Sequence, residues 1–105
     1  MKIFIEVETP TFIKCSEKCW SEQDKVEFIS WIASHPEVGD VIPESGGLRK
    51  VRWGRQGCGT RGGVRVICFN ELEDGKIWLL IVYAKSKFDN LPTAHLRDLK
   101  ERING

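Results

Sequence analysis

Residues 77–83 constrain the fold most, because they read Ile-Trp-Leu-Leu-Ile-Val-Tyr without a charged side chain. Apolar residues at both odd and even positions predict a strand whose sheet is covered on both faces. Simple alternation places Ile77, Leu79 and Ile81 on the same face. The dipeptide Asp74-Gly75 is a strong hairpin signal, so residues 64–70 are predicted to pair antiparallel with this strand. The chain therefore needs a sheet that places residues 77–85 in its interior.

The other elements follow from periodicity and capping signals. Alternation over residues 2–7 predicts a first strand, and residues 48–53 predict the strand before the hairpin. Thr9-Pro10 suits the start of a helix, and Ser21 with Asp24 resembles a capping box for a second helix that ends near His35. A terminal helix is predicted over residues 91–103, with its apolar side chains inward. The expected fold is α+β, one domain over residues 1–105, with an antiparallel-rich four-stranded sheet in the order β-α-α-β-β-β-α.

Basic residues are concentrated in the middle of the chain. Residues 49–70 contain six Lys or Arg and no acidic residue, whereas residues 1–48 contain four Lys and nine acidic residues. The formal net charge of +1 conceals this asymmetry. Seven glycines between positions 46 and 63 allow the backbone to come close to a ligand. Such a block of Arg is typical of a phosphate-binding surface, and the alternative is a solvated hairpin loop.

The remaining polar residues give no sign of a metal or a cofactor. Cysteines at positions 15, 19, 58 and 68 lack the spacing of a zinc site, so free thiols are expected, with Cys68 in the core. Glu73 and Asp74 lie in a turn, away from the basic residues, and do not predict a Mg²⁺ site. His35 and His95 are interpreted as surface residues, and Phe28 and Trp31 as core. With no apolar run long enough for a signal peptide or a membrane span, a cytoplasmic protein is expected.

Three predicted strands bring cations and a tyrosine toward one sheet face. The strand before the hairpin supplies Arg49, Lys50 and Arg52, Arg61 and Arg65 flank the start of the next strand, and Tyr83 and Lys85 lie at the end of the last. Antiparallel pairing makes Arg65 and Tyr83 candidate neighbours. Guanidinium groups bind phosphate through two parallel hydrogen bonds and stabilise the extra charge of a pentavalent phosphorus. Tyr83 and Lys85 can exchange a proton, so attack of an RNA 2′-hydroxyl on its neighbouring phosphate is the reaction open to these groups.

Four segments carry a resemblance to a known family. They read GDVIP at 39–43, GGLRKVRW at 46–53, RGGVRVI at 61–67 and IVYAK at 81–85. With these segments the chain resembles toxins of the RelE/HigB family over nearly its whole length. The resemblance implies a RelE-like fold and the toxin of a type II toxin–antitoxin pair, an mRNA interferase that cleaves messenger RNA in the ribosomal A site. It also implies a cognate antitoxin that is HigA-like and has a helix-turn-helix domain. The toxin would then contact DNA only indirectly, through this antitoxin.

The resemblance also implies roles for individual residues. Arg61 and Arg65 would hold the scissile phosphate, and Tyr83 and Lys85 would transfer protons or stabilise charge. Ribosomal and messenger RNA would be bound by Arg49, Lys50, Arg52, Arg55 and Lys87. The chain departs from the family pattern at Cys58, Thr60, Cys68, Phe69 and Ser86. Two alternatives stay open: a gyrase poison of the sister ParE branch, which shares the fold, and a non-catalytic module that binds RNA or antitoxin, which these departures allow.

Overall fold

In a computed structural model of the chain, residues 5–35, 37–43, 45–53, 63–71, 73–84, 96–98 and 100–101 are described. These ranges contain five strands and two complete helices, namely β1 (Ile5–Glu8), α1 (Pro10–Cys19), α2 (Glu22–Ile32), β2 (Asp40–Val41), β3 (Arg49–Trp53), β4 (Val64–Glu71) and β5 (Lys76–Ala84). Residues 96–98 and 100–101 are also helical, inside the predicted terminal helix. The predicted α+β class is confirmed. None of the helices that the structure describes has the length and apolar character needed to cross a membrane.

The sheet is mixed, with the strand order β1-β5-β4-β3-β2. β1 runs parallel to β5, and the other three pairings are antiparallel. The long connection that a parallel pair requires runs here through α1, α2 and the strands β2 to β4. The predicted count of four strands is corrected to five, because β2 is a strand of two residues beside Arg49 and Lys50. An element this short has no alternation by which its sequence could reveal it.

Side-chain caps start both N-terminal helices where the sequence predicts them. Thr9 Oγ1 accepts a hydrogen bond from the backbone N–H of Phe12 at 3.1 Å and donates one to the carbonyl of Leu79 at 3.0 Å. Thr9 therefore ties the start of α1 to β5 as well as capping it. Ser21 Oγ accepts from the backbone N–H of Asp24 at 3.1 Å, which confirms the second cap.

The end of α2 lies slightly before its predicted position. The helix stops at Ile32, and the chain continues in a turn in which the N–H of His35 bonds to the carbonyl of Ile32 at 3.0 Å. A bond to the third preceding residue tightens the last turn, as is common at helix ends. This turn places His35 over the end of the helix.

Two apolar clusters cover the two faces of the sheet. The face under α1 and α2, here the helix face, buries Phe12, Phe28, Ile32, Val51, Val64, Val66, Cys68, Ile77, Leu79 and Val82. The other face, here the opposite face, buries Leu48, Ile67, Leu80, Ile81, Tyr83 and Leu96. Phe28 is fully buried and Trp31 packs against the helix-face cluster, so their predicted core positions are confirmed. Burial on both faces also confirms β5 as an interior strand.

The C-terminal helical residues lie on the opposite face. Leu96 is buried there, and Lys100 Nζ donates to the carbonyl oxygen of Gly46 at 2.6 Å. The same ammonium group lies 4.9 Å from the ring centroid of Phe69, a cation–π distance. Gly46 has φ +82°, and a Cβ there would lie 2.8 Å from Lys100 Nζ, so glycine permits this close contact. Leu99 and Ile103, also predicted to face inward, lie outside the described residues.

Cys68 is a buried thiol on the helix face. It is 1 % exposed, and burial raises its pKa from 9.0 to about 12, against a smaller opposing effect of Arg49. We expect iodoacetamide at pH 8 to modify the half-buried Cys15 and Cys19 in the native protein and to leave Cys68 unmodified. Peptide mapping by mass spectrometry checks this expectation, and unfolding in urea supplies the control in which Cys68 reacts. Rapid native labelling of Cys68 would contradict its burial.

The same burial makes stability depend on alkaline pH. Between pH 9 and 12 the unfolded chain loses the Cys68 proton while the folded chain keeps it, so the folded state binds more protons. The free energy of unfolding should therefore fall as pH rises through this window, by about 1.4 kcal/mol per pH unit from this group. Urea unfolding at pH 8 and pH 10 measures the decrease, and Cys68→Ala should make it smaller. An equal decrease in the variant would assign it to other groups.

Candidate nucleic-acid interface

Arg52, Arg65 and Tyr83 form a row across three adjacent strands. Arg52 in β3 pairs with Arg65 in β4, and Arg65 pairs with Tyr83 in β5. Residues directly opposite each other in antiparallel strands point to the same side, with Cβ atoms about 5 Å apart. Tyr83 belongs to the opposite-face cluster, so the whole row lies on that face. The predicted proximity of Arg65 and Tyr83 is confirmed.

A β-bulge in β5 places Tyr83 in this row. The register shifts between Ile67, which pairs with Ile81, and Cys68, which pairs with Leu79, so Leu80 is the extra residue. Leu80 and Ile81 consequently both lie in the opposite-face cluster. The predicted alternation, with Ile81 on the same face as Leu79, is wrong beyond the bulge. An uninterrupted register would turn Tyr83 toward the helices, away from Arg65.

Exposure decreases along the row. Arg52 is exposed, whereas Arg65 is only 9 % exposed and Tyr83 only 4 % exposed. Arg65 Nη1 also donates a long hydrogen bond, of 3.4 Å, to the carbonyl oxygen of Val64. A cation that is largely removed from water acts more strongly on a nearby anion than a solvated one does. The row thus joins a solvent-facing arginine to a desolvated arginine–tyrosine pair.

The other basic residues of β3 are divided between the two faces. Lys50 pairs with Ile67 and is half-buried on the opposite face, together with the row. Arg49 pairs with Cys68 and therefore points to the helix face, where its Nη1 donates to the carbonyl oxygen of Glu37 at 2.9 Å. The prediction that all the basic residues of this strand share one face is wrong for Arg49, since successive residues of a strand alternate. A role for Arg49 in RNA binding stays a prediction.

Four of the predicted site residues lie outside the described residues, namely Arg55, Arg61, Lys85 and Lys87, as do Cys58 and His95. At one end of the sheet, directly beside the row, Val64 pairs with Trp53 on one side and with Ala84 on the other. The segments that carry the four basic residues are joined to the fold at this end. Elsewhere, within the described ranges, no group of three or more His, Cys, Asp or Glu is positioned to hold a metal ion.

An aromatic stack on the helix face was not apparent from the sequence. The ring centroids of Trp53 and Trp31 are 5.1 Å apart, and the imidazole of His35 lies 4.9 Å from Trp31 with an interplanar angle of 19°. His35 is exposed, as predicted for a surface histidine. The four-residue spacing of Trp31 and His35 was the available signal, but the tight turn after α2 is what stacks their rings.

No protein-family model matches the chain. Among solved structures, the chain is similar to the E. coli toxin RelE, in a double arginine-to-alanine mutant in the free state. The similarity has a TM-score of 0.64 at 10 % sequence identity and covers 96 % of this chain and 98 % of that chain. The chain therefore has the RelE-type toxin fold over nearly its whole length.

Proposed function

We propose that the chain is a single-domain toxin of a type II toxin–antitoxin pair that cleaves messenger RNA on the ribosome. The observation that carries the proposal is the row of Arg52, Arg65 and Tyr83 in a chain with the RelE fold. The solved neighbour is called a toxin, and the variant that was solved replaces two of its arginines. A buried arginine beside a tyrosine suits the stabilisation of a phosphate whose negative charge increases.

The reaction that fits this row is an internal transfer at phosphorus. The 2′-oxygen of the RNA forms a bond to the adjacent phosphorus, the bond from phosphorus to the 5′-oxygen breaks, and a cyclic phosphate and a 5′-hydroxyl result. The 2′-hydroxyl loses a proton and the 5′-oxygen gains one, roles proposed for Tyr83 and Lys85. Arg65, with Arg61, would stabilise the additional charge on the phosphate oxygens.

The remaining basic residues would hold RNA without taking part in the reaction. Arg52 is exposed and Lys50 half-buried on the opposite face, beside the row, and both are proposed to bind phosphates. Arg55 and Lys87 are proposed to extend this contact. The partners are the ribosome, messenger RNA and a cognate antitoxin in the cytoplasm, with DNA contacted only through the antitoxin.

Primer extension on a defined messenger RNA tests the proposal. Purified protein is added with and without translating ribosomes, and cuts are expected only when ribosomes are present. Lys14→Ala is a charge-matched control, because Lys14 is an exposed residue of α1 on the other side of the sheet. Absence of cuts from a folded protein would contradict the nuclease. DNA-damage signalling in cells would then favour a gyrase poison, and binding of RNA without cuts would favour a non-catalytic module.

The salt dependence of RNA binding tests the role of Arg52. Loss of one phosphate contact lowers the magnitude of the slope of log affinity against log salt by about 0.7 for a single strand. We expect Arg52→Ala to bind a labelled single-stranded oligoribonucleotide more weakly at low salt, with a slope smaller by this amount. Fluorescence anisotropy over a series of NaCl concentrations measures the slope. An unchanged slope in Arg52→Ala, equal to that of Lys14→Ala, would remove Arg52 from the interface.

A further inference from the structure

The stack of Trp53, Trp31 and His35 ends in an exposed ring. Trp53 and Trp31 are partly buried against the helix-face cluster, and His35 lies on the outer side of Trp31. One face of the imidazole is covered by the indole of Trp31 at 4.9 Å. Because His35 is exposed, the other face is accessible to a planar ligand. The indole of Trp31, against which Trp53 packs at an interplanar angle of 42°, supports the imidazole from below and gives this face the character of a stacking platform.

The orientation of the imidazole is set by the protein. Its Nδ1 lies 2.8 Å from the carbonyl oxygen of Trp31, and a carbonyl can only accept, so Nδ1 carries the hydrogen. The backbone on either side is also held, by the bond from the N–H of His35 to Ile32 at 3.0 Å and from the N–H of Val38 to His35 at 3.2 Å. A ring that is already ordered loses little conformational entropy when a ligand stacks on it.

The stack is close to the arginine row, across the edge of β3. β2 pairs with β3 only at Arg49 and Lys50, so in the described part of the chain Arg52 and Trp53 have a neighbouring strand on one side only. These two residues are consecutive, and their side chains point to opposite faces. A nucleic-acid strand that crosses this edge would contact the Arg52 cation on the opposite face and then the aromatic stack on the helix face.

Charge determines which part of a nucleotide fits each side of this edge. Glu37, two residues after His35 in the chain, is exposed, and Arg49 Nη1 donates to its backbone carbonyl oxygen. A carboxylate so close in sequence disfavours a phosphate at His35, but it does not repel an uncharged nucleobase. The cationic row, by contrast, suits phosphate.

We propose that the imidazole of His35, supported by Trp31 and Trp53, stacks with a base of the single-stranded RNA whose phosphates Arg52 binds. The inference rests on the proposed function, since it takes RNA as the ligand, and it adds a second contact on the other side of the sheet. The stacking needs no hydrogen bond to the base edge, so the contact is tolerant of sequence. His35 is thus a binding residue, separate from the row that is proposed to react.

Anisotropy of a labelled single-stranded oligoribonucleotide tests this contact in the full-length protein. His35→Ala is expected to weaken binding by roughly 5- to 150-fold, the effect of losing one base–aromatic stack. His35→Phe keeps a ring and should retain most of the affinity. The salt slope should not change in either variant, because no phosphate contact is removed. Circular dichroism and thermal unfolding verify that both variants are folded.

An abasic oligonucleotide of equal length and charge separates stacking from a general loss of affinity. Wild type and His35→Ala should bind it equally. The proposal would be overturned if His35→Ala bound the normal oligonucleotide as tightly as the wild type does. It would also be overturned if His35→Ala lost as much affinity for the abasic oligonucleotide as for the normal one. If the wild type binds neither, the stacking contact is also overturned, while ribosome-dependent primer extension still decides the nuclease independently. If Arg52→Ala weakens binding and His35→Ala does not, only the stacking contact fails.

Discussion

Replacing Arg65 with alanine is expected to lower the rate of ribosome-dependent cleavage by about 10²- to 10³-fold, as the loss of a group that stabilises transition-state charge does in other enzymes. Arg65 is 9 % exposed and directly opposite Tyr83, so its charge acts on the phosphate with little screening by water. Messenger RNA that is held by other cations would still bind. The expected defect is therefore in the rate of the reaction more than in affinity.

Arg65→Lys distinguishes charge from geometry at this position. Lysine keeps the positive charge and loses the two-pronged guanidinium, so an intermediate rate is expected. Primer extension time courses with saturating protein measure the rates, and circular dichroism verifies the fold of each variant. Lys14→Ala should cut at the wild-type rate. A folded Arg65→Ala that also cuts at the wild-type rate would disprove the proposed role of Arg65.

Replacing Phe28 with alanine is expected to lower the free energy of unfolding by about 3–5 kcal/mol, through lost burial and the cavity that remains. Phe28 is fully buried, and its ring centroid lies 5.4 Å from that of Trp20 and 5.4 Å from that of Trp53. The phenyl ring thus joins α2 to the end of α1 and to β3. The loss is a large part of the roughly 5–15 kcal/mol that usually stabilises a domain.

Urea unfolding followed by tryptophan fluorescence measures this loss. Val26→Ala is the matched control, because Val26 also lies in α2 but is 53 % exposed, and a change within about 0.5 kcal/mol is expected there. An effect of Phe28→Ala as small as that of Val26→Ala would show that the aromatic cluster does not hold the helices on the sheet. Retained RNA binding at temperatures where the variant is folded would separate stability from function.

Much of the local structure was predictable from short signals. Thr9-Pro10 and Ser21 set the starts of the two helices because a hydroxyl accepts from the first free N–H groups wherever such a helix begins. Asp74-Gly75 predicted the hairpin, and Gly75 adopts φ +66° in that turn. The apolar run in β5 predicted an interior strand, because a strand with no polar face must be buried on both sides of the sheet. These signals act within a few residues, so the sequence displays them directly.

The candidate site was predictable only in part. Arg65 and Tyr83 became candidate neighbours from hairpin pairing alone, and the register bears this out. The position of Arg49 was mistaken, because the adjacent residues Arg49 and Lys50 cannot both lie on one face of a strand. The short strand β2 was missed because two residues carry no periodicity, although it decides that the paired part of this β3 edge ends at Lys50.

By itself, the sequence determined the class of fold, the helix starts, the hairpin and the presence of a basic segment, since all of these depend on neighbouring residues. The tertiary structure alone decided on which face of the sheet Arg65 and Tyr83 meet and which aromatic rings are in contact. The bulge at Leu80 turns Tyr83 to the side of Arg65, and the turn after α2 stacks His35 on Trp31. Both outcomes depend on how elements distant in the chain pair and pack. Because one extra residue reverses the face of every residue beyond it in a strand, alternation counted along the sequence could not predict that row.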